Sequence, residues 1–194
     1  MKAILDTSSL MSMVRYYLPF DTENTLTQFI KTKLTSGEWI IIDKVHEEAS
    51  YLSGGLILNK MSFLKDKGFI KSANIAYRTE LIIPPAPRRF ANMLNDNFTI
   101  PVMKRRLSPI QFEVSKDNFA QSADMRQVLL CWSLTHNNEE AIVVTEETGG
   151  NNDNKLFKKI PAICEQLGLP SATLPQLMER YTSEVMIRFD KISR

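Results

Sequence analysis

At 194 residues the chain suits one domain, or one domain with a sizeable insertion. Hydrophobic residues make up 43% and charged residues 24%, the balance of a soluble globular protein that can bury a core without disulfide or metal staples. A formal net charge of +2 excludes a chain-wide attraction to polyanions, so any grip on nucleic acid has to come from local clusters.

In chain order, short apolar runs at 3–5, 39–42 and 141–144 read as strands, the last two rich in β-branched residues. Between them lie helical patterns. Leu26, Phe29, Ile30 and Leu34 recur at helix spacing before Gly37, and Val45, Ala49 and Leu52 before Gly54 and Gly55. Met125, Val128, Leu129, Trp132 and Leu134 line a helix through 122–136. The stripe of Val128, Leu129 and Trp132 reads as core, not as a base-stacking platform. Leu156, Ile160, Ile163 and Leu167 line another helix, closed by Gly168 and Pro170, and PSATL at 170–174 is a candidate last strand. Strands alternating with helices predict an α/β fold on a central, mostly parallel sheet. The stretch at about 70–120, with three prolines in LIIPPAPRRF, is treated as an elaboration of the same domain, spanning 1–194, with no secondary structure assigned. Cys131 and Cys164 sit among apolar residues, as buried free thiols do, which favours a cytoplasmic protein over a secreted one. Lys2 is followed by only three apolar residues before Asp6, too few for a signal peptide, and no apolar run reaches membrane-spanning length.

In open parallel sheets, ligands bind beyond the carboxyl ends of the strands. Asp6 ends the first strand; Glu47 and Glu48 follow the second on the first turns of a helix. Glu146, Glu147 and Asp153 follow the strand at 141–144, and Asp124 opens the helix before it. Each has an ordinary structural role available: a helix cap for Asp6 or Asp124, a first-turn dipole partner for Glu47 or Glu48, a solvated loop residue for Glu146 or Glu147. Their joint placement at one edge points instead to a cation, because gathered carboxylates repel one another. Mg²⁺ and Mn²⁺ prefer oxygen ligands. His46 and His136 have no partner at ligand spacing and read as surface or helix-end residues. There is no strand–turn–helix nucleophile elbow, and TGGNN lacks the lysine and spacing of a P-loop.

Leu5-Asp6-Thr7, Val45-His46-Glu47-Glu48, Ala123-Asp124 and Val144-Thr145-Glu146-Glu147, in this order, resemble the motifs of the PIN-domain ribonuclease family. The likeness covers roughly 1–55 and 120–178. It implies a three-layer α/β/α sandwich and a Mg²⁺- or Mn²⁺-dependent endonuclease acting on RNA, commonly the toxin of a bacterial toxin–antitoxin pair. Asp6, Glu48 and Asp124 would hold the metal, with Glu147 completing the site. Glu48, followed by the apolar Ala49, matches the family glutamate better than Glu47. Many members carry aspartate at the fourth site, where Asn151 or Asp153 would add a contact beside Glu147; Thr7 or Thr145 would position a ligand or a phosphate. RNA, a cognate antitoxin and a second copy of the chain are the implied partners, and no membrane is. Arg88 and Arg89, and Lys104, Arg105 and Arg106, with Phe90 and Phe98 nearby, are candidates for gripping the RNA strand. The competing expectation is a PIN-like RNA- or protein-binding module that does not cut. A haloacid-dehalogenase-type phosphatase would need a second aspartate where Ser8 stands.

Overall fold

The computed structural model describes residues 1–148 and 154–185. The order of elements is β1 (Lys2–Leu5), α1 (Thr7–Ser12), α2 (Thr25–Thr35), β2 (Trp39–Ile40), α3 (Asp43–Tyr51), α4 (Leu56–Lys60), α5 (Lys67–Ser72), α6 (Pro87–Asn92), α7 (Pro101–Lys104), α8 (Pro109–Ala120), α9 (Ala123–His136), β3 (Ala141–Val144), α10 (Ile160–Leu167), β4 (Ser171–Ala172) and α11 (Leu174–Met178). The strands form one all-parallel sheet in the order β2-β1-β3-β4, between helices in an α/β/α arrangement. All of β3 and the last three residues of β1 are buried, which is why these strands are continuous apolar runs rather than alternating ones.

Several boundaries differ from expectation. The strand at 39–42 stops at Ile40; Ile42 leaves the ladder, bridges Tyr77 and serves as N-cap residue of α3. Leu52 lies outside α3 and is exposed, in a short 3₁₀ turn. Leu156 lies outside α10. Its carbonyl accepts the Ile100 N–H at 2.8 Å, beside an antiparallel bridge between Thr99 and Phe157. The middle region holds two short helices and one of three turns, which begin at Pro87, Pro101 and Pro109, where a missing N–H costs nothing. Ala73, Ile75, Phe90, Met93, Leu94 and Phe98 join the same buried cluster as the sheet.

Val128 and Leu129 are buried and Trp132 packs partly against the core, with its ring 6.4 Å from Phe90. His46 is not a free surface residue: its Nε2 meets the Leu64 carbonyl at 2.9 Å and ties α3 to the 3₁₀ turn at Ser62–Lys65, beyond α4. Cys131 and Cys164 are buried free thiols, each pushed up to about 12 mainly by burial, and therefore chemically quiet. Buried Lys33 pairs with Glu38 and Glu184 at 2.9 and 2.8 Å, fastening the segment after α11 against α2. Among the described residues no helix is long and apolar enough to cross a membrane.

Candidate functional site

Parallel pairing sets Leu5 beside Val144. The next residue of each strand, Asp6 and Thr145, therefore leaves the sheet at the same carboxyl end. The connection from β1 places β2 on one flank, whereas β3 lies on the other, so the crevice between β1 and β3 is a topological switch point, the usual ligand position in open parallel sheets.

Asp6 is only 5% exposed and is surrounded by donors. Its Oδ1 accepts from the Thr7 N–H at 2.8 Å, which caps α1, and from Gln127 Nε2 at 3.0 Å. Its Oδ2 accepts from Ser8 Oγ at 2.5 Å and from Thr145 Oγ1 at 2.9 Å. A buried carboxylate is tolerated because such charge-assisted bonds replace water. Thr7 Oγ1 in turn donates to Glu48 Oε2 at 2.6 Å, linking α1 to α3. Glu48 is half-buried and its carboxyl is held above the usual range by burial; the Thr7 hydrogen bond opposes this, and the charges of Asp6 and Glu47 add to it. Glu47 is exposed and reaches Lys44 at 3.4 Å.

Asp124 is the second residue of α9. Ser122, not Asp124, caps that helix, accepting the Met125 N–H at 3.3 Å, so the Asp124 carboxylate is left for other uses. It is pushed up to about 7, first by burial, then by the charges of Asp6, Glu147 and Glu48, with Lys155 opposing. The chain thus brings the four sequence-predicted carboxylates into one electrostatic neighbourhood from four separate segments. No hydrogen bond from the described residues relieves Asp124.

Glu147 has a second occupation. Its Oε2 accepts the Ile160 N–H at the start of α10 at 3.0 Å, and its Oε1 lies 3.4 Å from Lys155 Nζ. Glu146 turns elsewhere, accepting the Leu174 N–H at 2.7 Å and so holding the start of α11. Thr145 is buried, donates to Asp6 and accepts the Glu147 N–H at 3.1 Å, making it a linchpin of the loop after β3. Asn151 and Asp153 lie outside the described residues.

Sequence reasoning misses Ser8, Gln127 and a group of lysines. Ser8 donates to Asp6 and accepts the Glu146 N–H at 2.9 Å. Gln127 stands one helical turn beyond Asp124, is wholly buried, and gives its amide nitrogen to Asp6. Its Oε1 has no partner among the described residues. The sequence signal for Gln127 is a polar side chain at i+3 from Asp124, directly before the apolar run Val128–Cys131.

Whether a divalent cation fits can be judged from these groups. Among the described residues no three His, Cys, Asp or Glu side chains are closed up into a ready-made cage. Glu48 is turned to Thr7 and Glu147 to α10. The donor chemistry does fit a hard cation: all four groups are carboxylates, their mutual repulsion burdens Asp124, and the orphaned Gln127 oxygen is suited to accept from a cation-bound water.

Beside Asp124 lies a small cavity of about 130 Å³, lined also by Lys155, Lys158, Lys159 and the rings of Phe119 and Phe157. By contrast, none of Arg88, Arg89, Lys104, Arg105 and Arg106 makes a hydrogen bond or ion pair with the acidic residues of this edge among the described residues. Lys104 is committed elsewhere. Its Nζ donates to the Asn95 carbonyl at 2.9 Å and lies 4.3 Å from the Phe112 ring centre.

A family model described as a domain of unknown function (DUF4411) matches residues 93–185. The matched stretch takes in Asp124, Glu147 and the cavity lysines, and leaves Asp6 and Glu48 outside. No curated protein and no solved structure matches the chain.

Proposed function

We propose that the chain is a PIN-like, Mg²⁺- or Mn²⁺-dependent endoribonuclease that hydrolyses RNA phosphodiester bonds, and that it acts as the cytoplasmic toxin of a bacterial toxin–antitoxin pair. The supporting observation is the gathering of Asp6, Glu48, Asp124 and Glu147 at the β1/β3 switch point, where Asp124 carries the repulsion of the other three. Asp6, Glu48 and Asp124 would hold the cation, with Glu147 reaching it directly or through water. A bound divalent ion supplies Lewis acidity and an activated water for attack on phosphorus. The protein's share is positioning. Thr7 orients Glu48; Ser8, Thr145 and Gln127 fix both oxygens of Asp6. A cognate antitoxin and a second copy of the chain are the protein partners that belong with this reading.

A second reading, a PIN-like RNA- or protein-binding module that does not cut, is favoured by one feature: Glu147 already serves the start of α10 and Lys155. Cleavage of an end-labelled single-stranded RNA separates the two. The nuclease reading expects cleavage with Mg²⁺ or Mn²⁺, none with a chelator, and a loss of at least about 100-fold in Asp124→Asn, within the several kcal/mol of transition-state stabilisation a cation supplies. Equal rates in wild type and Asp124→Asn would remove it.

A further inference from the structure

The cavity beside Asp124 has a composition that the carboxylates alone do not explain. Lys155, Lys158 and Lys159 all contribute to its lining, against a single acidic residue, Asp124, and Lys155 is the cation that lowers the burden on that carboxylate. Lys155 lies against Glu147, and Lys158 against the Gln166 amide oxygen when that amide also gives its nitrogen to the Asn97 carbonyl. One wall is apolar, where Phe119 and Phe157 stack with centroids 4.1 Å apart and planes 3° from parallel. The wall is anchored from behind, because Phe157 bridges Thr99 and flanking residues pair with Phe98 and Ile100. The volume, about 130 Å³, is below the roughly 300 Å³ at which pockets take whole small-molecule ligands, yet several times a water's share of about 30 Å³. It suits one compact anionic group.

We infer that this cavity is a phosphate subsite for single-stranded RNA, in which Lys155, Lys158 and Lys159 hold a backbone phosphate next to the acidic edge and Phe119 lines its apolar side. For its substrate the inference rests on the ribonuclease reading; for its site it rests on the lysines. An edge of four carboxylates repels a polyanion, and one divalent ion offsets only part of that charge. Cations immediately beside Asp124 hold the strand where the acidic groups alone would expel it. Lys158 and Lys159 sit just before α10, whose first N–H is already taken by Glu147, so side-chain charge rather than the helix terminus supplies the attraction.

The experiment reads binding without cleavage. Affinity for a fluorescent single-stranded RNA decamer is measured across a salt series in chelator, for wild type, Lys158→Gln/Lys159→Gln and Lys159→Gln alone. The single variant leaves the Lys158–Gln166 contact intact, and thermal melting checks the fold of each. The double variant should bind more weakly, with the log–log salt slope reduced by roughly 0.7 for one lost phosphate contact, and the single variant should lie between. Slopes equal to wild type in both variants overturn the subsite. Inorganic phosphate is the second probe. If it raises the melting temperature of wild type but not of the double variant, while RNA slopes are equal, the cavity takes free phosphate and the RNA assignment is overturned. If RNA binding depends on the lysines but wild type never cuts RNA with metal present, the ribonuclease reading fails and the subsite stands.

Discussion

The two halves of the acidic edge are built on opposite principles. On the β1 side Asp6 receives four hydrogen bonds, from one backbone N–H, two hydroxyls and an amide. On the α9 side Asp124 receives none from the described residues and is burdened by three neighbouring carboxylates. A charge that is fully bonded is part of the architecture, and removing it harms the fold. A charge that is crowded is held there against the fold's own interest, and removing it helps. Function is expected to draw on the second kind, since crowding is what a cation or a proton relieves.

The largest effect expected from this contrast is on Asp6. Repulsion alone would leave the stability of Asp6→Asn unchanged or higher. The donors reverse the sign: a neutral amide loses the charge-assisted character of all four bonds, and with its NH₂ on the Oδ2 side the Ser8 and Thr145 hydroxyls must turn from donating to accepting. A loss of roughly 1–3 kcal/mol follows, read by urea or thermal unfolding in chelator. An Asp6→Asn protein as stable as wild type would mean that the four bonds are not what holds this half.

Asp124→Asn should act the other way, and with pH. The folded-state value of about 7 lies above the ordinary 3.8. The protonated form therefore contributes stability that is complete below about pH 4 and is lost as pH rises through about 7. In chelator, wild type should become less stable across this window, whereas Asp124→Asn should keep a flatter profile and exceed wild type at pH 8. Mg²⁺ or Mn²⁺ should restore stability to wild type at pH 8 by binding the folded state, with a smaller gain in the variant. A metal response identical in both proteins would take Asp124 out of the site.

Gln127 sits between the halves. Removing its amide in Gln127→Leu deletes one bond to Asp6 but also an unpartnered buried oxygen, so the two changes partly offset. The net cost should be about 0.5–1.5 kcal/mol, less than for Asp6→Asn in the same unfolding assay. A cost as large as that of Asp6→Asn would show that Gln127 supports far more than one oxygen of Asp6.

How far the sequence shows these halves follows from local physics. β1 and β3 are legible because both faces are covered, which leaves a bare apolar run and a clear endpoint at Asp6 and Thr145. Glu48 is separable from Glu47 because Ala49 beside it faces the core. Leu156 misleads because its spacing to Ile160 mimics a helical turn, although Pro161 marks the first turn of α10 and argues for a later start. In the middle region, Ser108-Pro109-Ile110-Gln111 spells a capping box, Ser108 taking the Gln111 N–H and the Gln111 side chain taking the Ser108 N–H, yet nearby turn residues hide it. Glu147's bond to Ile160, and the place of Lys158 and Lys159 with Asp124 in the lining of one cavity, join residues that no periodicity links.

The smallest effect should come from the cations that composition makes most conspicuous. From sequence, Lys104, Arg105 and Arg106 are expected to grip RNA, and replacing all three to flatten the salt dependence of binding. Lys104 spends its ammonium on the Asn95 carbonyl and the Phe112 face, with Asp96 a further 3.7 Å contact. Lys104 does not line the cavity beside Asp124, so it takes no part in the phosphate subsite inferred there. Arg105 and Arg106 are exposed and remain able to meet a passing phosphate, but neither lines the cavity beside Asp124. The triple glutamine variant should therefore lower the log–log slope by at most about 0.7 for each phosphate the two arginines meet, and should leave metal-dependent stabilisation unchanged. Lys104 has a separate signature: replacing it alone should cost some stability, within about 1 kcal/mol, through lost packing on Phe112, with no change in slope. Should the Lys104 variant alone flatten the salt dependence more than Lys158→Gln/Lys159→Gln does, the strand runs across α7, and the lysines beside Asp124 serve only to balance the carboxylates.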